Sequence, residues 1–469
     1  MPSSPGLRFL PAALCALAIL AAPASASAAQ TTEKITYGPI TVGGYQVDQA
    51  IAFENVTEPA AEGHITAMSV DIVDADGTPV PIRRLMLHHI VFINLNKPDS
   101  TCNSFVGFDA GLGPSGFSRE RFYAAGEERA KLRMPGGYGY PVDDLDNWGL
   151  LYMVMNHRPK LDQAYIEYEV TVDTDPAVKS VEPYWLDVEN CSADPIYNVP
   201  GTKPDGSTDT KSALFDFPDA GRIVAGGGHV HGGAESLTVT QPSCAERELA
   251  RSTPTWGRAD HPFYNVKPVL HEPGPVNMTA FRTPTGIPVT AGEDLRLNSL
   301  YDASQPHTRV MGIFIVYLDP DPLVTDACGA LPGDVEELGS DYDGRDEPIP
   351  FRVPLTGLDE DGRAETILKP PGKLRKARDG AVVRVRDHEF SRKNVKVRRG
   401  ADLRWEFDGP AVHNVTLANG PEAIGSPNYG GVAGNFEYSF DRRGTYRLFC
   451  ALHPTQMAER VVVGRRRGR

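Results

Sequence analysis

The last part of the chain concentrates side chains that bind soft metals. Cys450, His453 and Met457 occupy one short segment that follows an apolar run, and His413 lies upstream of them. Two imidazoles and a thiolate around a metal, with a weak thioether on the axis, are the ligand set of an electron-transfer copper site. The alternative is a buried cysteine beside an unrelated histidine and methionine. The ordered spacing of the four residues favours copper, and we predict one type 1 copper site here.

Upstream histidines offer a destination for the electrons of such a site. His88 and His89 are adjacent within a β-rich run. Neighbours on a regular strand point to opposite faces, so both reach one metal only if the strand twists or bulges there. His157 ends an apolar strand, where a purely structural histidine is the alternative.

The segment His229-Val-His231 is a stronger metal motif. Its spacing places both imidazoles on one face of a strand, and flanking glycines let backbone or solvent come close. Met311 opens a strongly apolar strand, where a core methionine is the alternative. Imidazoles hold copper in both oxidation states, and a thioether favours Cu(I).

Taken in order, these motifs resemble those of the copper type II, ascorbate-dependent monooxygenases, which include the peptidylglycine α-hydroxylating enzymes. The resemblance covers about Ile51 to Leu318 and rests on the order His-His, His, His-x-His, Met. It implies two mononuclear copper sites, on two jelly-roll-like β domains that face each other across a solvent-filled cleft. The implied ligands are His88, His89 and His157 for an electron-storing copper, and His229, His231 and Met311 for an oxygen-activating copper.

Three segments look closer to the plant stress-upregulated nodulin family, a group related to those monooxygenases. They are 74–89, 228–233 and 307–312. The peptide-hydroxylating enzymes anchor their substrate with an Arg two residues before His-x-His and a Tyr four residues after the Met, where this chain has Gly227 and Ile315. The difference argues against a peptidylglycine substrate. It leaves two main hypotheses, a copper monooxygenase and a non-catalytic copper binder or electron carrier, beside a third, a structural β-sandwich protein with incidental histidines.

The C-terminal region resembles a cupredoxin, a family in which one histidine ligand comes mid-chain and the other three ligands share the last loop. The Cys-x2-His-x3-Met spacing lies between the shorter and longer loops of that family, so the resemblance specifies Cys450 and His453 more firmly than Met457. A blue-copper domain fused to the body would supply it with electrons.

Short alternating runs, such as Tyr165 to Val172, are split by Gly, Pro, Asn and Asp along the whole chain, a pattern typical of β-sandwiches. We predict an all-β protein with two jelly-roll-like β-sandwich domains followed by a cupredoxin Greek-key β-sandwich. The expected segments are a signal peptide (1–29), two monooxygenase-like β domains (30–185 and 186–333), a linker (334–379), a cupredoxin domain (380–464) and a basic tail (465–469).

An early Arg8, a short apolar run and an alanine-rich stretch form a secretory signal, so we expect an exported protein with no membrane span in the mature chain. Five cysteines follow it. With Cys450 assigned to metal, the other four form two disulfides in an oxidising compartment, in one of three pairings. We favour Cys102–Cys191 and Cys244–Cys328, on the assumption that each bridge closes one domain.

The net charge is −14, yet residues 379–469 hold 16 Lys and Arg against 10 Asp and Glu. The acidic body gives no support for nucleic-acid binding. The asymmetry would favour docking of a basic module on an acidic one, and the alternative is that this surface charge is simply solvated. An electron-donor protein is compatible with this architecture, and the sequence does not specify the small-molecule substrate or reductant.

Overall fold

The computed structural model describes residues 30–465 except 83, 103–118, 157, 159, 193, 257–273, 340–369, 371, 387 and 431–433. Within these residues the chain is all-β, as predicted, apart from a 3-10 turn at Pro242–Cys244. No helix in the described part of the chain is long and apolar enough to cross a membrane.

Ten strands form the first sandwich. They are β1 (Gln30–Val42), β2 (Val47–Ala52), β3 (Gly63–Val73), β4 (Leu85–Pro98), β5 (Arg119–Gly126), β6 (Leu132–Arg133), β7 (Tyr138–Val142), β8 (Trp148–Asn156), β9 (Asp162–Asp173) and β10 (Lys179–Ser180). One sheet has the order β1-β9-β3-β7-β10, with β6 paired to β3, and the other has the order β2-β8-β4-β5. Every second residue of β9 from Ala164 to Val172 is buried, the alternation expected of a strand with one face on a core.

Thirteen strands form the second sandwich and its edges. They are β11 (Glu182–Asp187), β12 (Tyr197–Val199), β13 (Thr208–Phe217), β14 (Gly221–Val230), β15 (Ala234–Gln241), β16 (Arg247–Ser252), β17 (Pro254–Thr255), β18 (Asn277–Met278), β19 (Ala280–Val289), β20 (Glu293–Asp302), β21 (His307–Val310), β22 (Gly312–Pro320) and β23 (Glu336–Leu338). The main sheets have the orders β11-β22-β14-β19-β23 and β13-β20-β15-β16, and the pairs β12-β21 and β17-β18 flank them.

The sheet that contains β22 lies between two hydrophobic cores. Met311 and, on β22, Ile313, Ile315 and Tyr317 belong to the core of the first sandwich. The intervening residues, among them Phe314, belong to the core of the second. Period-2 alternation therefore joins the first two sandwiches, which we call the body, through one shared apolar face.

Nine strands form the third sandwich. They are β24 (Arg375–Lys376), β25 (Ala381–Arg386), β26 (Glu389–Phe390), β27 (Asn394–Arg398), β28 (Asp402–Phe407), β29 (Thr416–Asn419), β30 (Gly434–Ser439), β31 (Gly444–Phe449) and β32 (Ala458–Gly464). The sheet orders are β24-β27-β32-β31-β29 and β26-β25-β28-β30. Both sheets mix parallel pairs (β27 with β32, β25 with β28) and antiparallel pairs around a separate core.

The predicted linker 334–379 is built into the sheets at both ends. At its start, β23 pairs with β19, and the Asp334 carboxylate accepts hydrogen bonds from the Thr283 and Thr285 hydroxyls (2.6 and 2.7 Å). At its end, β24 pairs with β27. Residues 340–369, the predicted signal peptide and the end of the basic tail lie outside the described residues.

Both predicted disulfides are present, Cys102–Cys191 and Cys244–Cys328. The assumption that each closes one domain is wrong for the first. Cys102 follows β4 of the first sandwich and Cys191 follows β11 of the second, so this bridge ties the two sandwiches together. The disulfides indicate an oxidising compartment. Among the described cysteines, Cys450 alone is free, and it is buried.

Candidate metal centres

His413, Cys450 and His453 meet in the third sandwich. Cys450 directly follows β31. The turn after it is closed by hydrogen bonds from the His453 N–H to the Cys450 carbonyl and from the Met457 N–H to the His453 carbonyl (3.1 Å each). His413 is held between β28 and β29 by reciprocal backbone hydrogen bonds with Tyr429 (2.8 Å each). Backbone hydrogen bonds thus fix the positions of the Cα atoms of all three residues.

The donor atoms of these residues converge. The Nδ1 atoms of His413 and His453 are 3.2 Å apart, and Cys450 Sγ lies 3.9 Å from the first and 3.7 Å from the second. Donors that each lie roughly 2 Å from one ion are separated by roughly 3 to 4 Å. Among the described residues, this is the one group of three His, Cys, Asp or Glu donors that lie within 4.8 Å of one another. The set therefore fits a metal ion bound by one sulfur and two nitrogens.

The protonation states suit a metal site that releases a proton on loading. Burial, together with the charges of His413 and His388, lowers the pKa of His453 to about 4, so its ring is neutral near pH 7. Burial raises the pKa of the Cys450 thiol, and hydrogen bonding from the Asn414 N–H (3.4 Å from Sγ) opposes that rise. The thiol must lose its proton when it binds a metal.

Asn414 forms hydrogen bonds with the turn that begins at Cys450. Its backbone N–H points to Cys450 Sγ, and its Oδ1 accepts hydrogen bonds from the Ala451 N–H (2.8 Å) and the Thr416 hydroxyl (3.0 Å). These contacts connect the segment of His413 to that of Cys450. Such outer contacts fix the orientation of metal ligands.

Met457 and His388 complete the surroundings. Met457 is fully buried in the same core cluster as Cys450, and its carbonyl accepts a hydrogen bond from the Cys450 N–H (3.2 Å). His388 is exposed, and its ring lies edge-on to that of His453 with the ring centres 4.3 Å apart. The sequence spacing could not have revealed this contact, because His388 and His453 are far apart in the chain.

In the body, the register of β4 against β8 shifts between Leu87 and His89. This irregularity is the condition under which His88 and His89 can face one site. Their Nδ1 atoms are 3.0 Å apart, and both residues are buried. His157, the third implied ligand, lies outside the described residues.

The body histidines depart from the arrangement that the resemblance implies. The expected solvent-filled cleft would separate two copper sites, but the ring centres of His88 and His231 are only 4.8 Å apart. The rings of His231 and His229 are 5.3 Å apart. The shared apolar face of the two sandwiches brings β4 and β14 together, so His88, His89, His229 and His231 form one histidine cluster.

Glu128, which the sequence analysis did not single out, bonds to this cluster. Its carboxylate lies 3.0 Å from His229 Nδ1 and also accepts a hydrogen bond from the Gly126 N–H (2.8 Å). Burial lowers the pKa of His229, but the charge and hydrogen bond of Glu128 outweigh it, and the pKa is raised. His229 Nε2 is buried with no hydrogen-bond partner among the described residues. A proton on Nδ1 would leave Nε2 as the ring nitrogen that a metal could bind.

Met311 lies between β21 and β22 and lines two cavities. The larger, about 930 Å³, also exposes His229, Glu128, Gly227 and Ile315. The smaller, about 370 Å³, is lined by body and third-sandwich residues together, including His88, His89, His231, Asn414 and Ala451.

Known proteins match two parts of the chain. Residues 163–320, about a third of the chain, match the family described as "Stress up-regulated Nod 19". This match confirms the predicted nodulin-family resemblance over a range that includes His229, His231 and Met311. No curated protein matches the sequence.

Solved cupredoxin structures are weakly similar to part of the chain. A Cu(I) form of an amicyanin variant is 25% identical and covers 19% of this chain and 85% of that one, with a TM-score of 0.17. A purple cupredoxin from Nitrosopumilus maritimus is 22% identical, covers 18% of this chain and 99% of that one, and has the same TM-score of 0.17.

Proposed function

We propose that the chain is an exported copper-dependent oxidoreductase whose third sandwich exchanges electrons with a histidine-rich, monooxygenase-like body. The observation that carries this proposal is the convergence of Cys450 Sγ with the Nδ1 atoms of His413 and His453. Copper held by one thiolate and two imidazoles supplies one-electron transfer. The Met457 thioether would be a fourth, weaker ligand.

The residues around the site suit this role because they limit rearrangement. His413 and Cys450 are almost fully buried, which keeps water from the donors. The backbone pairing of the cysteine turn and the Asn414 contacts hold the donor positions. A site whose ligands are already positioned changes little in geometry when its charge changes.

Contacts between the third sandwich and the body support electron exchange over a short distance. One buried apolar cluster joins Met86 and Met155 of the body to Ala418 and Phe449 of the third sandwich. Met86 lies two residues before His88, and Phe449 immediately precedes Cys450. The residue next to Cys450 in the chain therefore packs in the same apolar cluster as a residue on the strand of His88.

In the body, we propose that His88, His89 and His157 belong to an electron-storing copper site, and His229, His231 and Met311 to an oxygen-activating one, the two sites being adjacent within the one histidine cluster and not separated by a cleft. The Glu128 contact supports this by directing His229 Nε2 toward a metal. Gly227 and Ile315 on the cavity wall argue for a substrate other than peptidylglycine.

A second function, electron or copper carriage without catalysis, is favoured by a separate observation. Within the described residues, the compact three-donor group is the one at Cys450, and the body histidines do not form another. The two functions differ in whether oxygen is consumed.

Copper content and oxygen uptake test the proposal together. Purified, copper-replete protein should bind three copper ions and consume O₂ with a reductant. Met311→Leu, which conserves volume but removes the thioether, should abolish uptake. Met68→Leu is the matched control, because Met68 is buried in the first core and lines neither cavity. Three coppers without oxygen uptake would support the carrier function, and failure to bind copper would contradict both.

A further inference from the structure

A body arginine reaches the loop that supports the copper ligands. Arg309, on β21, has a side chain that is 11% exposed and contacts segment 425–428 of the third sandwich. Its Nη1 donates to the Ser426 carbonyl, and its Nη2 donates to Asn428 Oδ1 (3.1 Å). Asp194 of the body neutralises the guanidinium from 3.3 Å. The planar fork of arginine makes these contacts at the same time.

The backbone of Arg309 is fixed as firmly as its side chain. Its φ of 54° lies in the left-handed region, which is unfavourable for a residue with a Cβ. Its N–H donates to Asn198 Oδ1 (3.1 Å), and Asn198 Nδ2 donates to the Gly425 carbonyl (2.8 Å). A conformation that costs energy is held by a bond to Asn198 of the body, and Asn198 itself bonds to the third sandwich.

From segment 425–428 the contacts continue to the thiol. Asn428 Oδ1 accepts hydrogen bonds from both Arg309 and Asn414 Nδ2 (2.8 Å). Asn414 in turn directs its N–H at Cys450 Sγ. The other end of Asn428 donates to Gln49 of β2 (3.0 Å). A continuous set of hydrogen bonds therefore connects two body strands to the residue that bonds the sulfur.

We propose that Arg309 is a positioning residue through which the body fixes Asn428 and Asn414 and so sets the environment of Cys450. The copper affinity and reduction potential of the third sandwich then depend on its contact with the body. The inference rests on the proposed copper site at Cys450. Outer contacts of this kind typically change metal affinity by roughly 10- to 100-fold when they are removed.

Arg309→Gln in the full chain removes the fork, and Arg296→Gln is the matched control, since Arg296 pairs with Glu246 in the body. We expect Arg309→Gln to weaken copper binding about tenfold or more, to shift the thiolate absorption band and reduction potential, and to speed reaction of the metal-free Cys450 thiol with a thiol reagent. The control should match wild type in all of these measurements.

Two further variants separate positioning from charge and from folding. Arg309→Lys keeps the charge but cannot make the forked contacts, and it should behave like Arg309→Gln. If lysine restores wild-type values, charge alone acts and the proposal is overturned. Gly425→Ala disturbs the same contact from the side of the third sandwich. The added methyl group would lie 2.4 Å from Asn198 Oδ1 and 3.0 Å from Arg309 Cγ, so these residues must shift. This variant should produce the same shifts even if Arg309→Gln fails to fold.

The outcome for wild type separates this inference from the proposed function. A wild-type chain without a thiolate-to-copper band contradicts the copper site itself. A wild-type chain with the band, and Arg309 and Gly425 variants that match it in affinity, potential and thiol reactivity, contradicts the role of Arg309.

Discussion

At the residue scale, Glu128 and His229 illustrate what a single sequence does not reveal. The two residues are 101 positions apart and come from different sandwiches, yet their side chains are 3.0 Å apart. By contrast, the closeness of Cys450 and His453 could be predicted because they lie in one turn. Arg309 escaped prediction for the same reason as Glu128, since its partners lie more than 100 residues away.

Glu128→Gln should weaken copper binding in the body. The neutral amide no longer favours a proton on His229 Nδ1, so the ring is less firmly oriented with Nε2 toward the metal. We expect roughly tenfold weaker binding in chelator competition. Glu127→Gln is the control, because Glu127 bonds to the Gly274 N–H and acts on His229 through its charge alone, without a hydrogen bond to the ring. Equal affinities in the two variants would contradict the positioning role of Glu128.

Glu120 predicts a pH dependence of stability. Burial raises the pKa of Glu120 to about 7, and hydrogen bonding from Tyr140 partly opposes this. The folded state therefore holds the proton more tightly than the unfolded state, and stability falls as pH rises from about 4.5 to about 7. Glu120→Gln should raise the free energy of unfolding by up to about 3 kcal/mol near pH 8 and leave it unchanged near pH 4. Denaturant titrations at the two pH values test this, and equal differences at both would contradict it.

At the element scale, the sequence identified strands well where one face is buried. The alternation on β9 follows directly from period 2, and the irregularity in β4 lies where the adjacent histidines require it. His229 and His231, predicted to share one face of a strand, line different cavities, because β14 ends at Val230. The linker was harder to predict, because a charged, proline-rich composition does not show that β23 and β24 add to sheet edges. The bridge Cys102–Cys191 joins two domains, because the sandwiches pack side by side.

Loss of this bridge should destabilise the body. A chain carrying both Cys102→Ala and Cys191→Ala should lose about 2 to 5 kcal/mol in free energy of unfolding, since an 89-residue separation is no longer constrained in the unfolded state. Denaturant unfolding measures the change. A loss below about 0.5 kcal/mol would mean that the shared apolar face alone sets the stability.

At the scale of the whole molecule, the charge asymmetry left two possibilities, docking of a basic module on an acidic body and surface charge that is simply solvated. The described contacts are of another kind. They are apolar packing at Met86 and Phe449, hydrogen bonds between amide groups, and a guanidinium that belongs to Arg309 of the body. Buried contacts such as these are weakly screened by salt.

The packing of the third sandwich against the body should therefore be insensitive to ionic strength. We expect the radius of gyration from small-angle X-ray scattering to stay constant between about 50 mM and about 500 mM NaCl. Expansion at high salt would show that long-range charge attraction holds the third sandwich in place.

The central claim is that Cys450, His413 and His453 hold copper, and visible absorption with EPR of the copper-loaded full chain tests it most directly. The wild-type protein should show an intense thiolate-to-copper band. Cys450→Ser should lose that band while copper in the body remains. A band that survives in Cys450→Ser, or a copper-bound wild-type protein without one, would contradict the claim.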